Sequence, residues 1–552
     1  MYQAVGTQLE VINTRAPVAV VLGGAGTGKT TTAAVAATGH LLVADSRREQ
    51  LRRDLGQAGK PACLPAQARV LFLSFSRTAV AQVLDRATNV ASNLLERIDV
   101  MTFHGFAWKV ISDFGPAFGY AKQSRLLSAP NSKVPGGPAG MTYDDLLPAA
   151  LGLLGKPAVA AHYNRRYSLV ICDEFQDTND QEWAFLQTVA PQARRILLGD
   201  VNQCIYAEMK GIDPEARIAA ALSLPGAVQI DLPRASHRDP SGVLPAAADA
   251  ARERRFNDPA VVQAVQDGRL IVSRVSEESA TDEVISIVRA ERARSCSVSI
   301  FTHTNAATTG LSDALTAAGV RHEQVGLTEA YGEALNAQLG LLRWAIDRTA
   351  GGRRDLAVFV AANYRATTPL VTQIMDRSNP GFERALRLVL NDLGAAAEPL
   401  DVDRLGEVVV GAYGRLGAHR GQQVWVEAGR RMLSAMRLLL TGGSVEDVVA
   451  EVEHAQNAAL LGDARLRPRP VQVMNLHQTK GREADATILL LQQDEFHGRE
   501  RPPYPKLSRL LYVVMTRARQ RAYILVPGAV HLLWQPLVDA CEAATAQPRA
   551  AS

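Results

Sequence analysis

Residues 18–30 constrain this chain more than any other stretch. A short apolar run, Val18 to Leu22, leads into Gly23-Gly24-Ala25-Gly26-Thr27-Gly28-Lys29-Thr30, which fits G-x-x-x-x-G-K-[ST] between a strand and a helix. Glycines let successive backbone N–H groups turn inward around phosphate oxygens. The helix expected from about Lys29 offers its positive end to the same charge. Lys29 is spaced to reach the β- and γ-phosphates of ATP, and the Thr30 hydroxyl to ligate Mg²⁺, with Thr31 following on the helix. A chain that carries this unit is committed to an α/β sheet with its ligand at the carboxyl ends of the strands.

The run Leu169 to Cys172 ends in Asp173-Glu174. A phosphate cradle needs a carboxylate from a neighbouring strand to hold Mg²⁺, which is the role expected of Asp173. Glu174 is then placed to orient or deprotonate the attacking water. Further buried runs stand at Val70 to Leu73, at Ile196 to Leu198 before Gly199-Asp200, near Leu270, at Val298 to Phe301, near Val471, at Ile488 to Leu491 and at Ala522 to Val526. Longer helical patterns separate them, the signature of parallel sheets. A chain of 552 residues exceeds what one core can organise. The expected fold is therefore α/β, with two parallel-sheet core domains, each carrying a mainly helical insertion.

The segment 106–165 has little strand character and contains the Pro- and Gly-rich stretch Pro130 to Gly140, so it is expected to be a small helical insertion. The organisation expected is a first core domain in residues 1–105 and 166–245, a second in 246–332 and 469–540, a helical insertion in 333–468, and a flexible tail in 541–552.

Composition bounds the function without naming it. The hydrophobic fraction is 47 % and the charged fraction 21 %, ordinary for a globular chain. A net charge of +4 permits a nucleic-acid partner without requiring one. Five cysteines, Cys63, Cys172, Cys204, Cys296 and Cys541, form no disulfide framework or zinc-ligand spacing, as expected in a reducing cytoplasm. No apolar run approaches the ~20 residues of a membrane helix, and the start of the chain has no secretory pattern. No repeat of solenoid period is present.

Asp173-Glu174-Phe175-Gln176-Asp177-Thr178 narrows the reading further. This hexapeptide resembles motif II of the UvrD/Rep group of superfamily-1 helicases, and other segments follow that family's order. Gln8, 21 residues before Lys29, resembles the glutamine that reads adenine. Phe75-Ser76-Arg77-Thr78-Ala79 and Thr102-Phe103-His104-Gly105 resemble motifs that touch single-stranded DNA. Gly199 to Tyr206 resembles motif III, in which Gln203 would sense the γ-phosphate and Tyr206 would stack on a base. Ser236-His237-Arg238 is similar to motif IV, with Arg238 toward the γ-phosphate. Asn475 to Glu483 resembles motif V, with Glu483 meeting the ribose and His477 near the DNA. Arg509 to Arg519 resembles motif VI, with Arg517 as the arginine finger.

The resemblance implies two RecA-like domains that close on ATP-Mg²⁺, translocate 3′→5′ along single-stranded DNA and unwind partially duplex DNA, in DNA repair, recombination or phage defence. The chain departs from the family pattern in places. Tyr206 is followed by Ala207-Glu208-Met209-Lys210-Gly211 in place of an aromatic-Arg-Gly sequence, and motif IV keeps only its arginine. Asn475 and Arg482 replace the usual residues of motif V, and Pro505-Lys506-Leu507-Ser508 stands where an acidic cluster is usual. These departures keep a second reading open: a DNA-stimulated translocase that remodels without unwinding, beside a separate nuclease or repair chain. A third reading, an ATP-operated switch, leaves Glu174, Gln203 and Arg517 without a use.

Overall fold

The computed structural model describes residues 6–57, 64, 66–74, 92–121, 126–127, 134, 140–205, 211–233, 235–325, 328–348, 352–363, 369–417, 420–461, 469–479, 482–491 and 505–546. Its first half contains β1 (Val18–Leu22), β2 (Arg69–Ser74), β3 (Ile98–Thr102), β4 (Leu126–Leu127), β5 (Met141–Thr142), β6 (Tyr167–Cys172), β7 (Arg194–Gly199) and β8 (Ala227–Asp231). Six of these form one sheet in the order β3-β2-β6-β7-β1-β8, with every pairing parallel. β4 and β5 pair separately. The central strands of such a sheet are apolar along most of their length because helices cover both faces. Val11, Ala33, Ala37 and Leu41 cover one face, and Phe106, Val110, Leu146 and Phe185 the other.

The second half contains β9 (Leu270–Val275), β10 (Val298–Thr302), β11 (Glu323–Gln324), β12 (Val471–Asn475), β13 (Ala484–Leu490) and β14 (Ala518–Pro527). They form a second all-parallel sheet in the order β11-β12-β10-β13-β14-β9. Helices Ala280–Ala293 and Asn305–Ala317 lie on one face, through Val284, Val288, Leu311 and Leu315. Helices Val243–Arg252, Pro259–Gln266, Pro505–Met515 and Gln535–Ala546 lie on the other.

Three expected boundaries move. The segment 106–165 is no separate unit. Helices Phe103–Phe114, Tyr143–Leu154 and Pro157–Arg166 bury Phe106, Leu147, Leu153 and Tyr163 in the core beneath the first sheet. Local signals still place these helices: the Thr102 side chain caps the first by accepting from the Gly105 N–H at 3.0 Å, and Thr142 with Asp145 forms a capping box on the second. The division expected at 245/246 falls before residue 243, since helix Val243–Arg252 buries Leu244 and Ala247 in the second core. The tail expected from 541 is helical to Ala546, with Cys541 packed in that core.

Among the described residues, seven helices between Thr328 and Leu461 make the large insertion. They pack on their own core around Phe359, Tyr413 and Trp425, the last two stacked with centroids 5.2 Å apart. Val134, from the first half of the chain, is buried in this same core. The Arg354 guanidinium donates to the Val134 carbonyl at 2.7 Å. The two halves are thus joined through their insertions as well as through the sheets.

Because residues 106–165 share the core of the first sheet, Phe106→Ala should destabilise the whole first domain, by about 3–5 kcal/mol. Urea unfolding should show an earlier transition that also releases nucleotide. A loss confined to 106–165, with the sheet unaffected, would contradict the shared core.

Candidate nucleotide and nucleic-acid site

The cradle lies at the carboxyl end of β1, flanked by β7 and β8. Gly26 and Gly28 adopt φ of +77° and +86°, the left-handed region that other residues enter at a cost. A Cβ on Gly23 would stand 2.7 Å from the Thr27 hydroxyl, which itself donates to the Gly24 carbonyl at 3.0 Å. The loop therefore closes only around glycine. Gln8 is 2 % exposed beside it, its amide 3.5 Å from the Thr27 carbonyl. Lys29 folds back over the mouth, donating to the carbonyls of Gly23 at 2.5 Å and Gly24 at 3.0 Å. Thr31 follows in the first helical turn, half-buried.

The Thr30 hydroxyl donates to the Asp173 carboxylate at 2.9 Å, so both expected Mg²⁺ ligands meet at one point. Burial and the neighbouring Glu174 charge push the Asp173 carboxyl up from its ordinary value. A divalent cation between Thr30 and Asp173 would relieve that penalty, so the donor set fits the ion. Glu174 takes φ 54° and ψ 40°. Such a left-handed non-glycine residue costs about 1–3 kcal/mol and tends to mark a functional position.

The second sheet reaches into this site from helix Pro505–Met515 and the turn after it. Arg517, 2 % exposed, donates to the Gln203 side-chain carbonyl. Burial, and then the nearby Arg238 charge, push its guanidinium down to about 10, so it stays charged at neutral pH. Tyr512 from the same helix accepts a hydrogen bond from the Ala25 N–H at 3.4 Å, and Ala25 packs in the second core. Arg238 lies in the connection between the sheets. The His237 N–H beside it donates to the Gly26 carbonyl at 2.8 Å, while Arg238 turns the other way, to Glu483 at 2.7 Å and to the Thr516 carbonyl. Glu483, expected at the ribose, has its other oxygen held by Arg519 at 2.6 Å.

The candidate DNA residues divide. Thr102 is 6 % exposed and spends its side chain as a helix cap. Phe103, expected on the DNA path, is instead core: it is 1 % exposed and its ring meets Phe185 edge-on. His104 stacks on Tyr143, with centroids 3.7 Å apart and planes 15° apart, and Tyr143 is 37 % exposed. Phe75 and Tyr206 lie outside the described residues. His477 falls in the turn Leu476–Gln478, with its side chain outside them too.

Sequence reasoning missed Tyr512, Tyr143 and Gln176. Tyr512 and Gln176 sit inside recognised segments. The signal for Tyr143 was an aromatic directly after the Thr142 cap. No described helix is long and apolar enough to cross a membrane.

Two parallel sheets, one presenting the cradle and the other an arginine, define a P-loop nucleotide-binding core built from paired RecA-like domains. The comparisons carry this further. A family model described as an AAA domain matches residues 8–209. The ATP-dependent DNA helicase UvrD1 of Mycobacterium tuberculosis is 24 % identical over 480 residues, covering 73 % of this chain and 60 % of that protein. DNA helicase II of Escherichia coli is 34 % identical over 95 residues, 17 % of this chain and 13 % of that protein. The chain is similar to these UvrD-type helicases, and it spans about 60 % of the length of the UvrD1 proteins it matches.

Burial alone would raise the Glu483 carboxyl, but the Arg238 charge and the hydrogen bonds from Arg519 and Arg238 prevail and hold it at about 2, against an ordinary 4.5. A folded value below the unfolded one stabilises the fold above the unfolded value and is lost as the pH falls through the folded one. Glu483→Gln should therefore melt earlier than the wild type near neutral pH. The gap should shrink below about pH 4.5 and vanish near pH 2. A gap independent of pH would show that the charge of Glu483 does not hold the two arginines.

Proposed function

We propose that this chain is an ATP-dependent DNA helicase that moves 3′→5′ on single-stranded DNA and separates partially duplex DNA. The observation that carries the reading is the buried contact of Arg517 with Gln203 beside Glu174: a cation from one sheet meets the hydrolytic end of the other. Bound ATP-Mg²⁺ supplies a phosphoryl group that can pass to water. Lys29 and the cradle N–H groups hold its phosphates, and Thr30 with Asp173 holds the metal. Glu174 accepts the proton of the attacking water. Arg517 stabilises the charge that builds during transfer, and Arg238, adjacent to the cradle, offers a second guanidinium. Contacts across the two sheets then tighten and relax with each cycle.

On the DNA side, Tyr143 and His104 supply a stacked aromatic surface at the carboxyl end of β3, with Phe75, Tyr206 and His477 as further contacts. The 3′→5′ direction, the setting in DNA repair, recombination or phage defence, and a cytoplasmic location rest on the family resemblance. A second reading, a DNA-stimulated translocase acting beside a separate nuclease, is favoured by one observation. The segment 106–165 is fused to the first core, which leaves less of an independent arm to engage duplex.

Hydrolysis measured with and without single-stranded DNA tests the reading. Lys29→Ala and Glu174→Gln should abolish it while leaving the melting temperature nearly unchanged; wild-type turnover in either would refute the site. Arg517→Ala should bind nucleotide but lose about 10³-fold or more in DNA-stimulated turnover. Tyr143→Ala should weaken single-strand binding by about 1–3 kcal/mol with unstimulated hydrolysis intact, and unchanged affinity would place the bases elsewhere.

A further inference from the structure

Gln176 has no exposure to solvent, and every polar atom of its amide is engaged. Its nitrogen donates to Glu174 Oε2 at 2.8 Å and to Asp177 Oδ2 at 2.9 Å. Its oxygen accepts from the Asp200 N–H at 3.0 Å. Reversing the amide would set oxygen against two carboxylates and NH₂ against an N–H, so only one orientation is allowed. The Gln176 main chain is gripped as well, its carbonyl lying 3.8 Å from Cys204 Sγ.

From Asp200 the connection continues. The Asp200 carboxylate accepts from the Gln203 amide at 2.7 Å, and the Gln203 carbonyl accepts from Arg517. Gln203 resembles Gln176 in its logic: its nitrogen is fixed by Asp200, so its oxygen must face Arg517. A continuous line of hydrogen bonds therefore runs from the half-buried Glu174 through Gln176, the main-chain N–H and carboxylate of Asp200, and Gln203 to the guanidinium of the other sheet. Its members lie on three different segments: the end of β6, the end of β7, and the turn after helix Pro505–Met515. Low-dielectric surroundings strengthen each link and make a broken one costly.

We propose that Gln176 is a positioning residue that makes water activation by Glu174 and engagement of Arg517 one coupled event. It aims the Glu174 carboxylate and anchors the Asp200–Gln203 turn with the same amide. Glu174 is therefore correctly held only while the turn is in the position that receives Arg517. This rests on the hydrolytic role proposed for Glu174.

The test uses the full chain. Gln176→Met keeps the side-chain length and removes both kinds of hydrogen bond. It should lower kcat for ATP by about 10–100-fold, the worth of a hydrogen bond to a charged group, with KM and the affinity for a fluorescent ATP analogue within about twofold. In a Gln203→Ala background, where the line is already cut, the same substitution should cost little more, since members of one unit are not additive. A loss shared between KM and kcat, or losses that multiply independently, would overturn the coupling.

Hydrogen exchange supplies a readout that needs neither catalysis nor a variant. The Asp200 amide of the nucleotide-free wild type should exchange slowly, and exchange at the rate of an open loop would also overturn it. If the wild type hydrolyses no ATP with DNA present, the proposed function itself fails. If it does and these results are not met, only the role of Gln176 fails.

Discussion

Arg517 is a cation in a place that no cation would choose. Its guanidinium is almost fully buried and close enough to Arg238 for their charges to repel, and across the cleft it donates to the neutral carbonyl of Gln203. A buried charge without a full counterion is costly. The fold nevertheless holds Arg517 there, between a helix that packs on the cradle and a turn that ends a strand of the other sheet. The arrangement makes sense if the pocket is built to receive negative charge. Lys29 and Arg517 approach from two segments, with Arg238 held beside Arg517 by Glu483, while Asp173 and Glu174 stand on another. An anion of several charges satisfies the first group, and a divalent cation the second.

The elements that set up this convergence were legible where the chemistry is local. The cradle, the Asp173-Glu174 pair and the buried strands can be read because each is a short run whose side chains or backbone dictate it. Glycine at 23 has no alternative, and a parallel central strand must be apolar on both faces. The Arg238–Glu483 pair joins residues 245 apart and could not be read from either segment alone. Phe103 was expected on the DNA path because its segment resembles a DNA-contact motif, but the first turn of its helix faces Phe185 and buries the ring. The segment 106–165 looked independent because it shows little strand character. Its helices nonetheless have nowhere else to bury Phe106 and Tyr163 than under the first sheet.

The link between the insertions bears on how the halves can move. Val134 is buried among the helices of the large insertion and the Arg354 guanidinium holds its carbonyl, so separating the sheets must either carry the insertion along or withdraw an apolar side chain from a packed core. The contact at the cradle and the contact between the insertions thus join the two halves of the chain at two separate places.

The central claim is that ATP hydrolysis at this cleft drives directional movement on one DNA strand. Two partial duplexes, one with a 3′ tail and one with a 5′ tail, followed for hydrolysis and strand displacement in the same reaction, test it most directly. The account predicts displacement from the 3′-tailed substrate alone, at a rate that tracks DNA-stimulated hydrolysis. Displacement from the 5′ tail alone, or hydrolysis indifferent to DNA, would contradict it.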